Sequence, residues 1–321
     1  MMLPALTQIE AASEIIHPVV PPTPQYCWPL LCERLGAETW VKHENHTPVG
    51  AFKIRGGLVY FDHLCRSTPK PRGMISATRG NHGQSVGFAA RRYGLPATVV
   101  VPYGNSREKN AAMRALGVEL IEHGEDFQSA REHAELLAGE RTLHMVPSFH
   151  PLLVTGVATY SLELLRAVTA IDVVYVPIGM GSGICGMVAV RDALGLKTEV
   201  VGVVSAQAPA YAQSFAAGRP IDHATSTQLA DGMAVRTPDA EAVEIMRRGV
   251  ARIIQVTDEE VAGAMRMIFE CTHNVAEGAG AAAVAAAVKE RSRVAGCRIA
   301  VVLSGGNVDR EVFASVIGAE T

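Results

Sequence analysis

A lysine that follows a turn containing proline and glycine is the residue of this 321-residue chain best suited to covalent chemistry. Lys53 lies in the segment TPVGAFKIRGG, residues 47–57, after a strand-like stretch at residues 38–43. Apolar residues between positions 52 and 64 recur at helical spacing, which predicts a helix with Lys53 in its first turn. The positive end of a helix dipole disfavours an ammonium, so Lys53 is a candidate for a neutral, nucleophilic amine. Lys42 has no such surroundings and is expected to be a solvated surface lysine.

A polar turn before a second predicted helix could bind an anion. The segment SATRGNHGQ, residues 76–84, lies between a short apolar run and a helical pattern. Backbone N–H groups and short hydroxyls at a helix start suit a carboxylate or a phosphate. The same residue types are also ordinary helix caps, so this segment alone supports both interpretations.

A glycine-rich loop follows a buried-strand pattern at residues 171–178. The loop has the sequence GMGSGICG, residues 179–186, and a helix is predicted after it. The order of strand, glycine loop and helix lets the backbone approach a phosphate closely. Its spacing also satisfies the dinucleotide fingerprint G-x-G-x-x-G, so a nicotinamide enzyme is a rival interpretation. That fingerprint needs an acidic residue at the end of the next strand, where this chain has Ser205 and Ala206, which disfavours a nicotinamide.

The segment SGGN, residues 304–307, follows the strand-like run 298–303. A hydroxyl at the carboxyl end of a parallel strand points into the crevice where such sheets bind ligands, so Ser304 is a candidate ligand contact. The alternative is a turn serine.

These four segments, in this order, resemble the fold-type II pyridoxal phosphate enzymes, in particular the serine/threonine dehydratase and serine racemase branch. The resemblance extends from about Thr23 to Asp309. It implies an α/β fold similar to the tryptophan synthase β subunit, with two open twisted sheets flanked by helices. It also implies a large cofactor-binding domain, residues 1–69 and 147–321, and a small inserted domain, residues 70–146. The alternation of strand and helix patterns along the chain independently predicts parallel sheets.

The resemblance implies a cofactor, pyridoxal 5'-phosphate, and a role for each residue near it. Lys53 would be the catalytic residue and form the Schiff base with the cofactor, and Phe52 would cover one face of the ring. Asn81 would bind the phenolic oxygen and Ser304 the pyridine nitrogen. The phosphate would be held by the loop Gly179, Met180, Gly181, Ser182 and Gly183.

Five further residues are expected to contact the amino-acid substrate: Ser76, Thr78, Arg79, His82 and Gly232. Gly232 lies in the segment ADGMAV, which resembles the A-D-G turn of dehydratases. His82 is expected to be a structural member of its turn rather than a general base. Glu277 lies in the segment VAEGAG, which resembles the family's E-x-x-G-A turn near the cofactor, but the favoured interpretation is a first-turn carboxylate of the alanine-rich helix that follows it.

Arg79 is the clearest departure from the family pattern, which usually has a small residue or serine before G-N-H. Its guanidinium could turn to solvent or pair with a polar or anionic distal group of the substrate. The TRGNH form is also similar to dehydratases assigned to hydroxyectoine breakdown.

The resemblance implies a catabolic ammonia-lyase that eliminates water from a β-hydroxy-α-amino acid, such as threonine, serine or 3-hydroxyaspartate, and yields a 2-oxo acid and ammonia. The K-I-R-G continuation after Phe52 is similar to dehydratases, whereas cysteine and threonine synthases continue K-D-R. Two alternatives remain open. An amino-acid racemase needs a second acid/base group, commonly a serine where this chain has Arg79, and a non-catalytic cofactor-binding or regulatory protein would share the same motifs.

Net charge, cysteine spacing and the N-terminal sequence limit the partners and the cellular location that can be expected. A net charge of −3 gives no electrostatic reason to bind nucleic acid or an anionic membrane. The six cysteines form no C-x-x-C pair and no signal-peptide pattern is present, so a cytoplasmic protein with reduced thiols is expected. No metal site is expected, since residues 205–211, where some racemase relatives bind magnesium, contain no carboxylate. A homodimer is implied by the resemblance alone.

Overall fold

Strands and helices alternate over most of the chain. The computed structural model describes residues 2–319. The strands are β1 (Gln25–Cys27), β2 (Glu38–His43), β3 (Met74–Ala77), β4 (Ala97–Val101), β5 (Glu119–Glu122), β6 (His144–Met145), β7 (Val173–Pro177), β8 (Glu199–Ser205), β9 (Arg252–Val256) and β10 (Arg298–Leu303). The α-helices are α1 (Leu6–Ile16), α2 (Pro29–Leu35), α3 (Lys53–Arg66), α4 (Asn81–Tyr93), α5 (Arg107–Ala115), α6 (Phe127–Arg141), α7 (Pro151–Ala167), α8 (Ser182–Ala193), α9 (Ala210–Ala217), α10 (Ala240–Gly249), α11 (Asp258–Thr272), α12 (Gly278–Lys289), α13 (Arg291–Val294) and α14 (Arg310–Ile317). Two short 3-10 helices span Glu44–His46 and Asp231–Met233.

The larger sheet has six strands in the order β1-β2-β10-β7-β8-β9. Its pairs are parallel except for β1, which runs antiparallel to β2 at one edge. Along β7, Val174 and Val176 pack with α7, α8 and α10, while Val173 and Tyr175 pack with α11 and α12 on the other face. Because both faces are covered, the central strands are continuous apolar runs in the sequence.

The smaller sheet has four parallel strands in the order β5-β4-β3-β6 and is built entirely from residues 74–145. Helices α4 and α5 cover one face, where Val99 meets Met113, and α6 covers the other, where Val100 meets Ala134. The predicted fold class, α/β with two open sheets flanked by helices, is confirmed. The domain limits at residues 69/70 and 146/147 stay a prediction.

A buried ionic cluster fixes α3 in place. Lys42 is fully buried, and its Nζ donates to Glu163 Oε2 at 2.6 Å and to the Thr23 carbonyl at 2.7 Å. Arg55, also fully buried, pairs with Glu44 at 2.7 Å and with Glu163 at 2.6 Å. The prediction of a solvated Lys42 is therefore wrong, because its main partner lies 121 residues further along the chain and no local pattern reveals it.

The carboxyl ends of β3, β7 and β10 all open onto one cleft between the two sheets. This is where open parallel sheets bind their ligands. Helix α3 begins at the same cleft, because the segment before it pairs with the segment after β10 through a bridge between Ala51 and Gly305. Across residues 2–319, no helix is both long enough and apolar enough to cross a membrane.

Candidate active site

The cleft brings together all but one of the residues that the sequence predicts for the site. The cleft, together with the solvent space at its entrance, measures about 880 Å³. The predicted residues that line it are Phe52, Lys53, Thr78, Arg79, Asn81, His82, Gly179, Met180, Gly181, Ser182, Gly183, Gly232 and Ser304.

Ser76 is the exception. It is fully buried in β3, and its hydroxyl donates to the Val146 carbonyl at 3.0 Å. This bond ties β3 to the end of β6, and Ser76 is not among the cleft-lining residues. Its expected substrate contact does not follow from this placement, because the buried Ser76 hydroxyl is bonded inside the smaller sheet, whereas the next two residues, Ala77 and Thr78, line the cleft.

Lys53 is the first residue of α3, as the sequence predicts. The backbone N–H of Phe52 donates to the Ser304 carbonyl at 3.0 Å, which sets Lys53 beside Ser304. The Lys53 Nζ donates to Ser182 Oγ at 3.3 Å. Burial lowers the pKa of Lys53 to about 8. A large share of the amine is therefore neutral near pH 8, although the cause is burial rather than the helix dipole that the sequence argument invoked.

The glycine loop after β7 leads directly into α8. Gly181 is the residue before the helix and has a φ of 100°, a conformation that favours glycine. A Cβ on Gly179 would lie 2.5 Å from the Gly232 carbonyl oxygen, so the A-D-G turn packs against the loop without room for a side chain. Since the first-turn N–H groups of a helix have no acceptor within it, the loop and the start of α8 form an anion-binding cradle.

The polar turn after β3 is held by its own hydrogen bonds. The Gly80 N–H donates to Thr78 Oγ1 at 2.9 Å, and the Thr78 N–H donates to the Val100 carbonyl at 3.1 Å. Asn81 then begins α4. Its Nδ2 donates to Glu277 Oε1 at 2.5 Å, so the amide is fixed from across the cleft. The Thr78 hydroxyl thus supports the turn from inside it.

His82 and Arg79 each keep a buried nitrogen without a hydrogen-bond partner in residues 2–319, namely His82 Nε2 and Arg79 Nε. Burial, with a further contribution from the charge of Lys53, lowers the pKa of His82 to about 3, so its ring is neutral. Arg79 is half-buried, lines the cleft and makes no ion pair with any carboxylate in the part of the chain that the structure describes. Both groups can therefore receive a ligand without breaking an existing bond.

Three charged residues line the cleft in addition to the predicted ones; Lys109 and Asp231 were given no site role from the sequence, and Glu277 was given a structural one. The Lys109 Nζ lies 2.7 Å from Asp231 Oδ2 and 3.0 Å from Glu277 Oε2. Glu277 precedes α12, but its carboxylate makes no capping hydrogen bond and is buried against the cleft, so its interpretation as a carboxylate serving the helix start is wrong. Asp231 adjoins Gly232 in the quoted A-D-G turn and could have been inferred. Lys109 has no comparable local signal.

A metal site does not appear in the part of the chain between residues 2 and 319. No three His, Cys, Asp or Glu side chains there are grouped so that they could hold a metal ion.

A buried lysine with a lowered pKa, an anion cradle and a polar turn thus share one cleft between two largely parallel sheets. This combination defines an α/β enzyme that keeps a phosphorylated group beside a reactive amine. The family of pyridoxal-phosphate dependent enzymes matches residues 16–305, and the chain belongs to that family.

Similar proteins fall within the predicted branch. The chain is 34% identical to the L-threonine ammonia-lyase of Thermotoga maritima, with 97% of this chain and 78% of that protein aligned. It is 29% identical to the L-threo-3-hydroxyaspartate ammonia-lyase of Saccharomyces cerevisiae, over 100% of this chain and 98% of that protein. Among solved structures, a threonine deaminase from T.th. is 32% identical and has a TM-score of 0.88, with 95% of this chain and 99% of that chain covered.

The residues present fit pyridoxal phosphate. There is no room for a side chain at Gly181, since a Cβ there would lie 2.9 Å from Met246 Cε. The cradle that this glycine forms at the start of α8 suits a phosphate. The Lys53 amine adjoins this cradle through Ser182, and the Ser304 hydroxyl lines the same cleft. An amine, an anion cradle and a neutral hydroxyl are the partners that the carbonyl, phosphate and ring nitrogen of this cofactor need.

Proposed function

We propose that this chain is a pyridoxal phosphate-dependent ammonia-lyase that eliminates water from a β-hydroxy-α-amino acid and releases a 2-oxo acid and ammonia. The substrate class comprises threonine, serine, 3-hydroxyaspartate and related amino acids. Support comes from the family match, from the two ammonia-lyase relatives and from the site itself.

The observation that carries the proposal is the position of the Lys53 amine. It lies 3.3 Å from Ser182 Oγ, at the edge of the anion cradle, and burial lowers its pKa to about 8. An amine in this state can be both a nucleophile and a proton carrier near neutral pH. In the proposed reaction Lys53 would hold the cofactor covalently through Nζ and, once the substrate amine had displaced it, the freed Nζ would take the proton from the substrate Cα.

The other cleft residues are proposed to bind and orient. The backbone N–H groups from Gly179 to Gly183 would hold the phosphate, and Phe52 would cover one face of the ring. The turn from Thr78 to His82 presents the start of α4 to the substrate carboxylate, as expected for a helix N-terminus. Asn81 would donate to the phenolic oxygen, and Gly232 would line the substrate side of the cleft.

The cofactor supplies an electron sink conjugated to the substrate amine, and Ser304 would limit its strength. A serine hydroxyl meets the ring nitrogen as a neutral partner, whereas an aspartate would favour a protonated nitrogen. Weak electron withdrawal favours rapid loss of the β-hydroxyl over chemistry that needs a long-lived carbanion. We also propose that the protein acts as a cytoplasmic homodimer, as its resemblance to the dehydratases suggests.

A product assay with a matched pair of lysine variants tests the function. Purified holoprotein would be offered serine, threonine and 3-hydroxyaspartate, and ammonia and 2-oxo acid would be measured together. We expect equal amounts of the two products from wild type and from Lys197→Ala, an exposed control, and no product from Lys53→Ala. Inversion of the substrate without ammonia would identify a racemase, and neither product from any substrate would contradict the proposal.

A further inference from the structure

The first turn of α5 supplies one residue that lines the cleft, Lys109, and contacts the segment that follows β10 of the larger sheet. The Ser106 hydroxyl donates to Asp309 Oδ1 at 2.5 Å, and the Glu108 N–H donates to the same oxygen at 3.1 Å. In return, the Arg310 N–H donates to Glu108 Oε1 at 2.9 Å. The start of α5 is thus satisfied by the carboxylate of Asp309, the residue before α14, and the start of α14 by the carboxylate of Glu108 in α5; a helix start is a favourable position for an anion.

Lys109 extends this contact into the cleft. Only 5% of its side chain is exposed, and its Nζ pairs with Asp231 at 2.7 Å and with Glu277 at 3.0 Å. Its alkyl stem packs where a side chain on Gly80 would lie, since a Cβ there would be 2.3 Å from Lys109 Cδ. Lys109 comes from the part of the chain that carries the smaller sheet, whereas both acids come from the part that carries the larger one.

Glu277 connects Lys109 to Asn81, since its carboxylate contacts both side chains. Its Oε1 accepts from Asn81 Nδ2, and Asn81 Oδ1 accepts from Asn307 Nδ2 at 2.9 Å. The Asn307 amide also donates to the Val49 carbonyl at 2.8 Å, four residues before Lys53. Both ends of the Asn81 amide are therefore held, and one end is held by a carboxylate that depends on Lys109 for its counter-charge.

The charges of Lys109 and Glu277 stabilise each other strongly, because both groups are buried. Burial raises the pKa of Glu277, and Lys109 opposes that rise. Although burial alone would lower the pKa of Lys109, the nearby Glu277 and Asp231 carboxylates raise it. Removal of the ammonium would leave a buried carboxylate without compensation, which is among the costlier defects in a protein interior.

We propose that residues 106–109 form a clasp that closes the cleft, and that Lys109 is a positioning residue that sets the orientation of Asn81 through Glu277. When the cleft closes, Lys109 meets Glu277, and the Asn81 amide is fixed in the same step. An open cleft has a free Asn81 amide, and a closed cleft has a fixed one. The link to the cofactor rests on the proposed function, whereas the clasp itself does not.

Hydrogen exchange in the full-length holoprotein tests the clasp. We expect Lys109→Met to speed amide exchange at least about tenfold in peptides that cover residues 105–110 and 225–232, because both sides of the closed cleft lose their tie. Arg107→Met is the matched control, since Arg107 lies in the same turn but its guanidinium pairs with the exposed Glu311 rather than with a residue of the cleft. It should leave the 225–232 peptide unchanged. Equal exchange in wild type and Lys109→Met would overturn the clasp.

A double-mutant cycle tests the route through Glu277. The rate of cofactor release, followed by absorbance after dilution, should rise about tenfold in Lys109→Met and in Glu277→Gln, and the double variant should resemble Glu277→Gln alone. Additive effects would show that Lys109 does not act through Glu277. If Lys109→Met does not fold, Asp231→Asn removes one partner at constant volume, and it must also speed exchange of the 105–110 peptide. Absence of ammonia from the wild type would refute the proposed function, but it would leave the exchange result intact.

Discussion

The Nζ of Lys53 lies 3.3 Å from the Oγ of Ser182, although 129 residues separate the two in the sequence. Each residue begins a helix, Lys53 the helix α3 and Ser182 the helix α8. The two helix starts meet at the cleft, so a phosphate held at the start of α8 would place its attached ring near the amine of Lys53. Two rigid helices, rather than flexible loops, set the distance between the two anchoring points.

The reactivity of Lys53 should follow its lowered pKa. In cofactor-free protein, its rate of reaction with an amine reagent should rise with pH and level off above about pH 8, whereas that of an ordinary lysine continues to rise toward pH 10.5. Competitive labelling with mass spectrometry would give both profiles, with Lys197 as the exposed reference. A Lys53 profile that superimposes on that of Lys197 would show that burial does not lower its pKa.

Ser304→Asp should change the spectrum of the bound cofactor and the fate of the substrate. A carboxylate at this position favours a protonated ring nitrogen, which strengthens electron withdrawal and stabilises negative charge at Cα. We expect new long-wavelength absorbance with substrate present and a lower yield of 2-oxo acid per proton exchanged at Cα. Deuterium incorporation measured beside product formation gives that ratio. Identical spectra and ratios would mean that Ser304 does not meet the ring nitrogen.

Arg79→Ser tests whether this guanidinium, which has no carboxylate partner among residues 2–319, selects the substrate. A bidentate contact with a distal carboxylate contributes about 1.5 to 3 kcal/mol, so kcat/KM for 3-hydroxyaspartate should fall roughly tenfold to a hundredfold. Activity with threonine should be kept or should rise. Arg92→Ser, an exposed position on α4, is the control and should leave both values unchanged. A uniform loss on every substrate would mean that Arg79 only supports its turn.

Glu163→Gln should destabilise the fold strongly. The change leaves the fully buried Lys42 and Arg55 without a shared counter-charge, a defect that costs about 3–5 kcal/mol. Urea unfolding would measure the loss. Glu135→Gln breaks an exposed i,i+4 pair with Arg131 and should change the unfolding free energy by less than about 0.5 kcal/mol. Similar losses in both variants would show that burial does not distinguish the two pairs.

Local patterns were sufficient for much of the fold and for the anchoring points of the site. The glycine loop after β7 and Lys53 at the start of α3 are both set by nearby residues, and the structure places them as predicted. Strands such as β7 and β10 are apolar runs because both of their faces are buried. For such elements the sequence signal and the structural cause lie within the same ten residues.

Contacts between distant segments could not be predicted in this way. Lys109 resembles any lysine on a helix until Glu277, 168 positions later, is placed beside it. Lys42 was misjudged for the same reason, since Glu163 reaches it only after α7 packs against α3. The placement of Ser76 also could not be inferred, because its hydroxyl bonds to the carbonyl of Val146, 70 residues further along the chain. Long-range ion pairs and side-chain direction depend on tertiary packing, which no local motif encodes.

Identification of the lysine that carries the cofactor tests the central claim most directly. Borohydride reduction of the holoprotein, followed by peptide mass spectrometry, would leave a stable pyridoxyl label on the attached lysine. The cleft offers two lysines, Lys53 and Lys109, and only the first has a lowered pKa and no carboxylate partner among residues 2–319. We expect the label on Lys53 alone. A label on Lys109 or on any other lysine, or no label in a protein that releases ammonia, would contradict the account.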